Sequence, residues 1–326
     1  MIEEITYREA IAKAIADELE ADPNVVFFGE DVGAAGGAFK STAGLFERFG
    51  PQRVRDTPIS EQAIVGAAIG AALTGMRPIA EIMFADFAGV CFDQLANQLA
   101  KYRYMTAGQA RVPVTIRMAN GAGAGFAAQH SQASENWLLN IPGLCIAVPA
   151  TVEDVYALIR SAVRSDDPVV VFEHKNLFGV KGAINSEAPL VGLGVASTVH
   201  RGDRVTVVAT QQMRHRALAA AEVLDREGLA IDVIDPRTLV PFDDVTVVES
   251  LARTARLLVV QEGPEAGGWA ASLVARLTSR HFDLFDAPPR LLTSPATPVP
   301  YAENLEAAWL PNEEQIVSAV RDLVAY

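Results

Sequence analysis

The chain has 326 residues, about half of them hydrophobic, which is enough for two domains with buried cores. Its net charge is −13 and its isoelectric point is about 4.9, which argues against nucleic-acid binding because that requires a basic face. The cysteines are Cys91 and Cys145, too few for a disulfide framework or a zinc site. The first residues lack an apolar signal core, and the longest apolar run, residues 63–73, is too short to span a bilayer. The composition therefore predicts a soluble cytoplasmic protein.

The first part of the chain alternates short apolar runs with segments of helical pattern. Strands are predicted over residues 25–28, 54–56, 78–83, 112–118, 144–148 and 169–172. Helices are predicted over residues 6–19, 61–73 and 84–104, and from residue 151. Ser60 and Thr151 are good N-caps, and Thr6 with Glu9 forms a capping box. Because near-continuous apolar strands alternate with helices, we expect a parallel sheet covered on both faces.

A linker and a second domain are predicted in the rest of the chain. Residues from about 181 to 201 carry glycine, proline, serine and asparagine without a firm period. Strands are predicted over residues 205–210, 230–234, 257–261 and 290–292. Helices are predicted over residues 213–227, 243–254 and 267–281, and a terminal helix is capped at Asn312. The sequence thus predicts an α/β protein with domains over residues 1–184 and 202–326 and a linker over 185–201.

Two glycine-rich loops invite a nucleotide-binding interpretation, but both fail its fingerprint. In the loop over residues 33–41, Phe39 stands where a phosphate-binding loop has the glycine before Lys-Ser. In the loop after the strand at 112–118, Phe126 stands where a dinucleotide-binding motif has its third glycine. We interpret this second loop as a flexible segment that delivers His130. The failed fingerprints argue against a stand-alone nucleotide-binding oxidoreductase.

Glu61 and His130 are candidate functional residues, although each also has an ordinary structural explanation. Glu61 is the first residue of a helix that is almost devoid of charge, where a carboxylate stabilises the positive end of the helix dipole. On the pattern alone that is the commoner role, because structural carboxylates outnumber catalytic ones. A single histidine is likewise more often structural than catalytic. The residue types alone leave both roles open.

Several short sequence motifs favour a catalytic role for these two residues. They are Asp56-Thr-Pro-Ile-Ser-Glu61, Phe84-Ala-Asp-Phe-Ala88, Lys101-Tyr-Arg-Tyr104 and Ala128-Gln-His-Ser-Gln132, in that order. With them, the chain resembles the beta subunit of the thiamine-diphosphate-dependent decarboxylating component of 2-oxo acid dehydrogenase complexes. The resemblance extends from Ile5 to Tyr301. It implies a thiamine-diphosphate-binding, pyrimidine-type parallel-sheet domain followed by a transketolase C-terminal-like α/β domain.

The resemblance also implies roles for individual residues. Glu61 corresponds to the glutamate that hydrogen-bonds the aminopyrimidine ring of the cofactor and acts as the catalytic acid. Met83 and Phe87 correspond to residues that line the thiamine pocket, although ordinary core packing is the alternative. Val90 replaces a family glutamine near this pocket, a departure that removes one polar contact. His130 corresponds to the histidine of the channel through which lipoamide reaches the cofactor.

The chemistry of such an enzyme requires groups of these types. The thiazolium carbon of thiamine must lose a proton, and the cofactor's own amine can accept it only in its imino form. A carboxyl group that exchanges a proton with the far ring nitrogen favours that form, and it works best in an apolar, largely dry setting. Glu61 lies among Ile59, Ala63, Ile64 and Val65, which fits this need. An imidazole such as that of His130 can give a proton to a dithiolane sulfur as the thiolate leaves.

Two metal ions follow from the resemblance. In some family members, backbone oxygens hold a structural potassium ion, and the corresponding positions are Val114, Ala162, Val163, Ser165 and Asp167. Chains that anchor the diphosphate of thiamine through Mg²⁺ carry a Gly-Asp-Gly word, which this sequence lacks. The expected partner is therefore an alpha subunit that supplies the Mg²⁺ and diphosphate ligands, in an α2β2 heterotetramer.

The sequence thus predicts the beta subunit of a 2-oxo acid (pyruvate-like) or acetoin dehydrogenase. Its acyl product would pass to the lipoyl arm of a dihydrolipoyl acyltransferase partner. The word from Glu81 to Asp93 looks most like acetoin-system sequences, while pyruvate and branched-chain substrates stay open. The alternative is a non-catalytic docking subunit whose acidic surface binds a basic domain of the acyltransferase.

Overall fold

The computed structural model describes residues 2–326, and the chain divides into two compact units. The first unit comprises residues 2–120 and Leu138–Leu193, and the second comprises Gly121–Trp137 and Gly194–Tyr326. The segment Gly121–Trp137 therefore groups with the second unit, although the predicted first domain ran without interruption to residue 184. The hydrogen bonds responsible for this grouping join the segment to residues beyond 260 and are described below.

The helices and strands alternate through both units. Within residues 2–326, strands β1 to β14 are Ile2–Thr6, Val25–Gly29, Val54–Asp56, Arg77–Ile82, Thr115–Asn120, Cys145–Ala147, Val169–His174, Lys181–Asn185, Ser197–His200, Thr206–Ala209, Asp232–Asp235, Thr238–Val240, Leu257–Gln261 and Arg290–Thr293. Over the same residues, helices α1 to α11 are Tyr7–Ala21, Leu45–Phe49, Glu61–Leu73, Tyr102–Met105, Glu135–Leu138, Val152–Arg164, Gln211–Arg226, Asp244–Thr254, Trp269–Arg280, Glu303–Trp309 and Glu313–Ala325. Short 3-10 helices lie at Ala85–Gly89, Lys175–Leu177 and Phe282–Leu284, and a π-helix lies at Gln94–Leu99.

In the first unit, six strands lie side by side in the order β6-β7-β5-β4-β2-β3, and all are parallel. Strands β5 and β7 are buried throughout, as expected for a parallel sheet covered on both faces. Helices α1 and α6 pack against each other, and their apolar side chains enter a shared core that includes Ile11, Ile15, Val155 and Ile159. Strands β1 and β8 form a separate antiparallel pair.

In the second unit, the sheet has the order β14-β13-β10-β11-β9. Strand β9 is antiparallel to β11, and the other neighbours are parallel. Helices α7 and α11 pack together, and the core includes Met213, Val233, Leu258 and Val320. Strand β9 lies inside the range predicted as a linker. All four of its residues are half-buried, so the strand has no alternation of buried and exposed side chains by which the sequence could have revealed it.

Most predicted elements are present, and the capping predictions fare unevenly. The capping box of Thr6 and Glu9 is confirmed, as is the cap that Thr151 provides to helix α6. Asn312 forms a capping box with Gln315 at the start of α11. Ser60 stands at the N-cap of α3 as predicted, but its side chain makes no capping hydrogen bond.

The long helix predicted over residues 84–104 is wrong. The segment is divided into a 3-10 turn, a π-helix and the short helix α4. Gly89 weakens a continuous helix, since glycine in a helix interior costs about 0.5–1 kcal/mol relative to alanine. The wider π turns instead place Leu95 and Leu99 in the core, where both are buried. None of the helices in residues 2–326 is long and apolar enough to cross a membrane.

Candidate active site

Three neighbouring strands of the first unit bring the candidate cofactor-binding residues to one edge of the sheet. Strands β4, β2 and β3 are adjacent and parallel, so their carboxyl ends lie together. Glu30 follows β2, Met83 follows β4, and the turn after β3 leads to Glu61. The amide of Thr57 donates to the carbonyl of Gly29 (2.9 Å), which ties that turn to the end of β2. Ligands of open α/β sheets bind at such an edge.

Glu61 is the first residue of α3, and it is only 6 % exposed. Ile64 and Val65, in the first turn of the same helix, are also buried. Burial of the carboxyl group fits the dry setting that the proposed proton exchange requires, although Ile59 and Ala63, predicted to surround it, are exposed. Helix α3 packs against β4, which keeps the start of the helix close to the carboxyl edge of the sheet.

Glu30 is a second buried carboxyl group in this region. Burial raises the pKa of Glu30, and the negative charges of Glu61, Asp31 and Glu81 raise it further. Its Oε1 atom has no hydrogen-bond partner within residues 2–326. The structure shows that Glu30 lies close enough to Glu61 for their charges to interact.

Cys91 lies near Glu61 and contacts the backbone of Phe87. Burial raises the pKa of the Cys91 thiol to about 12, and the charge of Glu61 contributes to the rise. Its Sγ atom lies 3.6 Å from the carbonyl oxygen of Phe87. A thiol with so high a pKa is not a nucleophile near neutral pH. Phe87 is half-buried and contacts Phe84 edge-on, with ring centroids 5.7 Å apart.

A buried ionic network lies across the middle strands of this sheet, and the sequence analysis missed it. Arg117 on β5 donates from Nη1 to Glu81 on β4 (2.6 Å) and from Nε and Nη2 to Glu173 on β7 (2.7 and 2.8 Å). Burial raises the pKa of Glu81 and of Glu173, and Arg117 opposes this rise. The available signal was a charged residue in the interior of each of three predominantly apolar strands.

His130 lies in the second unit, on the segment Gly121–Trp137, and is half-buried. Its backbone amide donates to the carbonyl of Ala127 (3.4 Å). The amide of Gly121 donates to the carbonyl of Gln132 (3.3 Å), so the chain reverses direction around His130. The structure therefore groups Glu61, Met83 and Phe87 in one unit and places His130 in the other.

A cavity of about 400 Å³ lies in the second unit beside the same segment. Its lining includes Gln132, Asn136 and Trp137, which follow His130 in the sequence, and Pro264, Pro298 and Trp309. It combines indole and proline surfaces with two side-chain amides, a composition typical of ligand cavities. The sequence analysis did not identify it, because its walls come from four distant parts of the chain.

The five positions matched to a potassium site already carry hydrogen bonds. The carbonyls of Val163 and Ser165 accept from Nη1 of Arg77 (3.0 and 2.9 Å). The carbonyl of Ala162 accepts from the amide of Ser165 (3.1 Å), and that of Val114 accepts from the amide of Val169 (3.0 Å). The side chain of Asp167 pairs with Arg103.

A guanidinium thus supplies positive charge to two of these five positions. Within residues 2–326, no group of three or more histidine, cysteine, aspartate or glutamate side chains is arranged to hold a metal.

Comparison with known proteins places both units in families. Residues 3–181 match the transketolase pyrimidine-binding domain, and residues 194–316 match the transketolase C-terminal domain. A solved structure of a split-gene transketolase, an inactive beta4 tetramer, aligns with a TM-score of 0.80 and 25 % identity over 98 % of each chain. The predicted two-domain transketolase-like α/β fold is therefore confirmed.

Curated relatives cover nearly the whole chain. The beta subunit of acetoin:2,6-dichlorophenolindophenol oxidoreductase from Cupriavidus necator is 44 % identical over 98 % of both chains. The pyruvate dehydrogenase E1 component subunit beta-1 of Arabidopsis thaliana mitochondria is 41 % identical over 97 % of this chain and 88 % of its own length. The 2-oxoisovalerate dehydrogenase subunit beta of Bacillus subtilis is 40 % identical over 99 % of both. This chain belongs to the transketolase-related family that contains the beta subunits of acetoin, pyruvate and 2-oxoisovalerate dehydrogenases.

Proposed function

We propose that the chain is the beta subunit of a thiamine-diphosphate-dependent acetoin or 2-oxo acid dehydrogenase. The observation that carries the proposal is the buried carboxyl group of Glu61, at the carboxyl edge of β2, β3 and β4 in a transketolase pyrimidine-binding domain. The relatives support the reaction class, since each is a beta subunit of an oxidoreductase or dehydrogenase. A cytoplasmic location is part of the same proposal.

In this proposal, the residues of the first unit hold and orient the aminopyrimidine end of the cofactor. Bound thiamine diphosphate would supply the nucleophilic carbon that adds to the substrate carbonyl. Glu61 would hold a proton at the far ring nitrogen of the pyrimidine, and its burial would keep water from that proton. Met83 and Phe87, both half-buried at the same edge, would supply apolar surface beside the cofactor.

The second unit contributes His130. Its imidazole would give a proton to a sulfur of the dithiolane ring as the acyl group passes to lipoamide. The lipoyl group would belong to a dihydrolipoyl acyltransferase. The alternative, a docking subunit without a catalytic role, requires neither a buried Glu61 nor a histidine on this segment.

An alpha subunit is the proposed source of the groups that hold Mg²⁺ and the diphosphate, in an α2β2 heterotetramer. The names of the relatives support a partner, because each is designated subunit beta. The potassium site stays a prediction, since Arg77 already donates to two of its five positions. Thermal unfolding in KCl and in NaCl tests it, and equal melting temperatures would count against the ion.

Acetoin is the proposed substrate, on the similarity of the word from Glu81 to Asp93 and on the 44 % identity to an acetoin oxidoreductase subunit. Pyruvate and 2-oxoisovalerate are the rival substrates, because their beta subunits are nearly as similar at 41 % and 40 %. Steady-state kcat/KM for the three compounds, with 2,6-dichlorophenolindophenol as the electron acceptor, decides among them.

The experiment that tests the proposal is calorimetric titration of thiamine diphosphate with Mg²⁺. The titration is made into this chain alone and into its mixture with the alpha subunit encoded beside it. We expect binding in the mixture and none by the chain alone. Binding by the isolated chain would remove the argument for a shared site. Binding in the mixture without turnover of any of the three substrates would favour the docking role.

A further inference from the structure

We infer that Glu306 and Glu262 are positioning residues that hold the glycine loop over residues 121–125. Through this loop they fix the position of His130. The inference rests on the proposed function, in which His130 acts in acyl transfer. The observation is a set of three hydrogen bonds within the second unit. The amides of Gly123 and Gly125 donate to the two carboxylate oxygens of Glu306, at 2.7 and 3.0 Å. The amide of Ala122 donates to Oε1 of Glu262, at 2.5 Å.

Both carboxylates are buried, so these bonds are not surface contacts. Glu306 is 2 % exposed and Glu262 is 7 % exposed. A buried carboxylate is costly unless charged or polar partners compensate for its lost hydration. No basic side chain within residues 2–326 forms a salt bridge with Glu306, and its carboxylate oxygens accept hydrogen bonds from the two loop amides. Hydrogen bonds from amides to a carboxylate are about twice as strong as bonds between neutral groups.

The loop adopts a backbone that turns its amides towards these carboxylates. Gly121, Gly123 and Gly125 have φ angles of 85°, 93° and 76°, in the region that L side chains rarely adopt. Successive amides in such a conformation form a concave site for an anion. The alternating glycines therefore serve a carboxylate of the same unit rather than a phosphate. This accounts for a glycine pattern that failed the dinucleotide fingerprint.

The same loop leads directly to His130, and the segment is held at other points as well. Ser131 is fully buried, and Gly121 donates to the carbonyl of Gln132. Further along, the amide of Trp269 donates to Oδ1 of Asn136 (2.9 Å). His130 is therefore presented from a strip of backbone with attachments on both sides. Removal of the Glu306 carboxylate would release two of the attachments that precede it.

Helix α10, which carries Glu306, is itself anchored. Trp309, at the end of that helix, is buried and donates from Nε1 to the carbonyl of Thr297 (3.2 Å). The carboxylate of Glu306 therefore projects from a fixed support.

Proton transfer depends on placement of the donor within hydrogen-bond reach of the sulfur. A displacement of about 1 Å can cost about 100-fold in rate. Loss of the hydrogen bonds between Glu306 and the loop should thus slow acyl transfer to lipoamide and leave the steps before that transfer unaffected.

The test uses Glu306→Gln in the complex of this chain with the alpha subunit. The amide of glutamine keeps the shape of the side chain but presents an NH₂ group to one of the loop amides, so one attachment is lost. Glu303→Gln is the matched control, because Glu303 lies on the same helix and is exposed. Two rates are measured: substrate-dependent reduction of 2,6-dichlorophenolindophenol, and reductive acylation of a free lipoyl domain.

We expect Glu306→Gln to lower kcat for acylation by about tenfold or more, while dye reduction stays within about twofold. The control should change neither rate. The sharper measurement is a double-mutant cycle with His130→Ala, which alone should reduce acylation. If Glu306 acts through His130, the second substitution adds no further loss in the His130→Ala background.

Other results would overturn the inference. Equal losses in both assays, or an additive loss in the double mutant, would mean that Glu306 only stabilises the fold. Unchanged acylation would remove its positioning role. If Glu306→Gln does not fold, Glu262→Gln, which alters the acceptor of the Ala122 amide, is put through the same assays. Failure of both variants to fold would assign a purely structural role. A wild-type complex inactive with every substrate in both assays would instead refute the proposed function, and the positioning role with it.

Discussion

At the scale of single residues, Glu61 shows how a position and its surroundings together indicate chemistry. A carboxylate at the start of a helix is common, and the helix dipole is a sufficient explanation for it. The structure adds that the side chain is buried at the meeting point of three strand ends and lies near a second carboxyl group, Glu30. Burial of two acidic groups at one edge has no benefit for folding, which favours a functional explanation.

We expect Glu61→Gln to lower kcat by about 10²- to 10⁴-fold in the assembled enzyme, because an amide cannot exchange the proton on the pyrimidine nitrogen. Steady-state dye reduction with substrate measures the loss. The melting temperature should change little, since glutamine fills the same space.

Gln62→Glu is a useful control, because it places a carboxylate on the exposed neighbour of Glu61. This second variant should keep wild-type activity. A Glu61→Gln enzyme with a near-normal rate would remove Glu61 from the mechanism.

The buried network around Arg117 calls for a stability prediction at the same scale. Arg117→Met would leave Glu81 and Glu173 in the interior without their cation, and the burial that raises both pKa values would no longer be opposed. Breaking a buried ion pair on one side typically costs about 3–5 kcal/mol. We therefore expect a loss of that size in the free energy of unfolding, measured by urea denaturation near pH 7.

Arg111→Met provides the comparison, because Arg111 also pairs with an acid but is exposed at the surface. Exposed ion pairs contribute about 0–1 kcal/mol, so this variant should unfold close to the wild type. Similar losses in the two variants would show that the network around Arg117 does not stabilise the interior.

At the scale of elements, the sequence predicted the buried parallel strands and most long helices, but it failed for the segment over residues 84–104. A run such as residues 169–172 predicts a buried strand, because its apolar residues are continuous and it is short. The segment over 84–104 contains many helix-forming residues as well as Gly89, and its geometry is decided by which side chains reach the core. Leu95 and Leu99 do so through a π-helix, a choice that depends on neighbouring elements and not on local propensity.

Strand β9 was also missed, and its attachment to the second sheet suggests a dependence on pH. His200 on β9 donates from Nδ1 to the carbonyl of Ile231 (2.7 Å), and its Nε2 faces Asp225 on α7 (2.9 Å). Burial lowers the pKa of His200, but the bonds to Ile231 and Asp225 and the charge of Asp232 outweigh it, so the pKa is raised. The protonated imidazole thus stabilises the folded state.

Because the folded pKa lies above the ordinary value of about 6.5, this stabilisation is complete below about pH 6.5 and is lost as the pH rises through the folded pKa. We expect the free energy of unfolding of wild type minus that of His200→Gln to decrease from pH 6 towards pH 9. Urea denaturation across that range measures the difference. His281→Gln serves as the comparison at a histidine outside this contact, and a constant difference for His200→Gln would contradict the role assigned to the imidazole.

At the scale of the whole molecule, the sequence predicted two α/β domains but placed the segment 121–137 in the first, whereas the structure groups it with the second unit. The bonds that join it to the second unit span 140 residues, from Ala122 to Glu262, and 183 residues, from Gly123 to Glu306. Such contacts leave no periodic trace, and their acceptors resemble any other glutamates in the sequence. The family resemblance named Glu61 and His130, whereas the groups that hold the His130 segment required the fold.

Stabilisation by the cofactor is also a property of the whole assembly. A ligand that binds the folded state stabilises it by mass action, by about 2.7 kcal/mol at 100 times its dissociation constant. For a chain of this size, we expect that gain to raise the melting temperature by about 4 °C. If the diphosphate and Mg²⁺ are held by an alpha subunit, the rise should occur only when that subunit is present.

Differential scanning calorimetry of the chain, the alpha subunit and their mixture, each with and without thiamine diphosphate and Mg²⁺, measures the effect. Mg²⁺ alone is the control, and it should leave every melting temperature unchanged. Glu61→Gln in the mixture should reduce the rise, because the pyrimidine end of the cofactor loses a partner, while its diphosphate end stays bound. A full rise for the isolated chain would place the diphosphate site in this subunit and would contradict the division of the site between two chains.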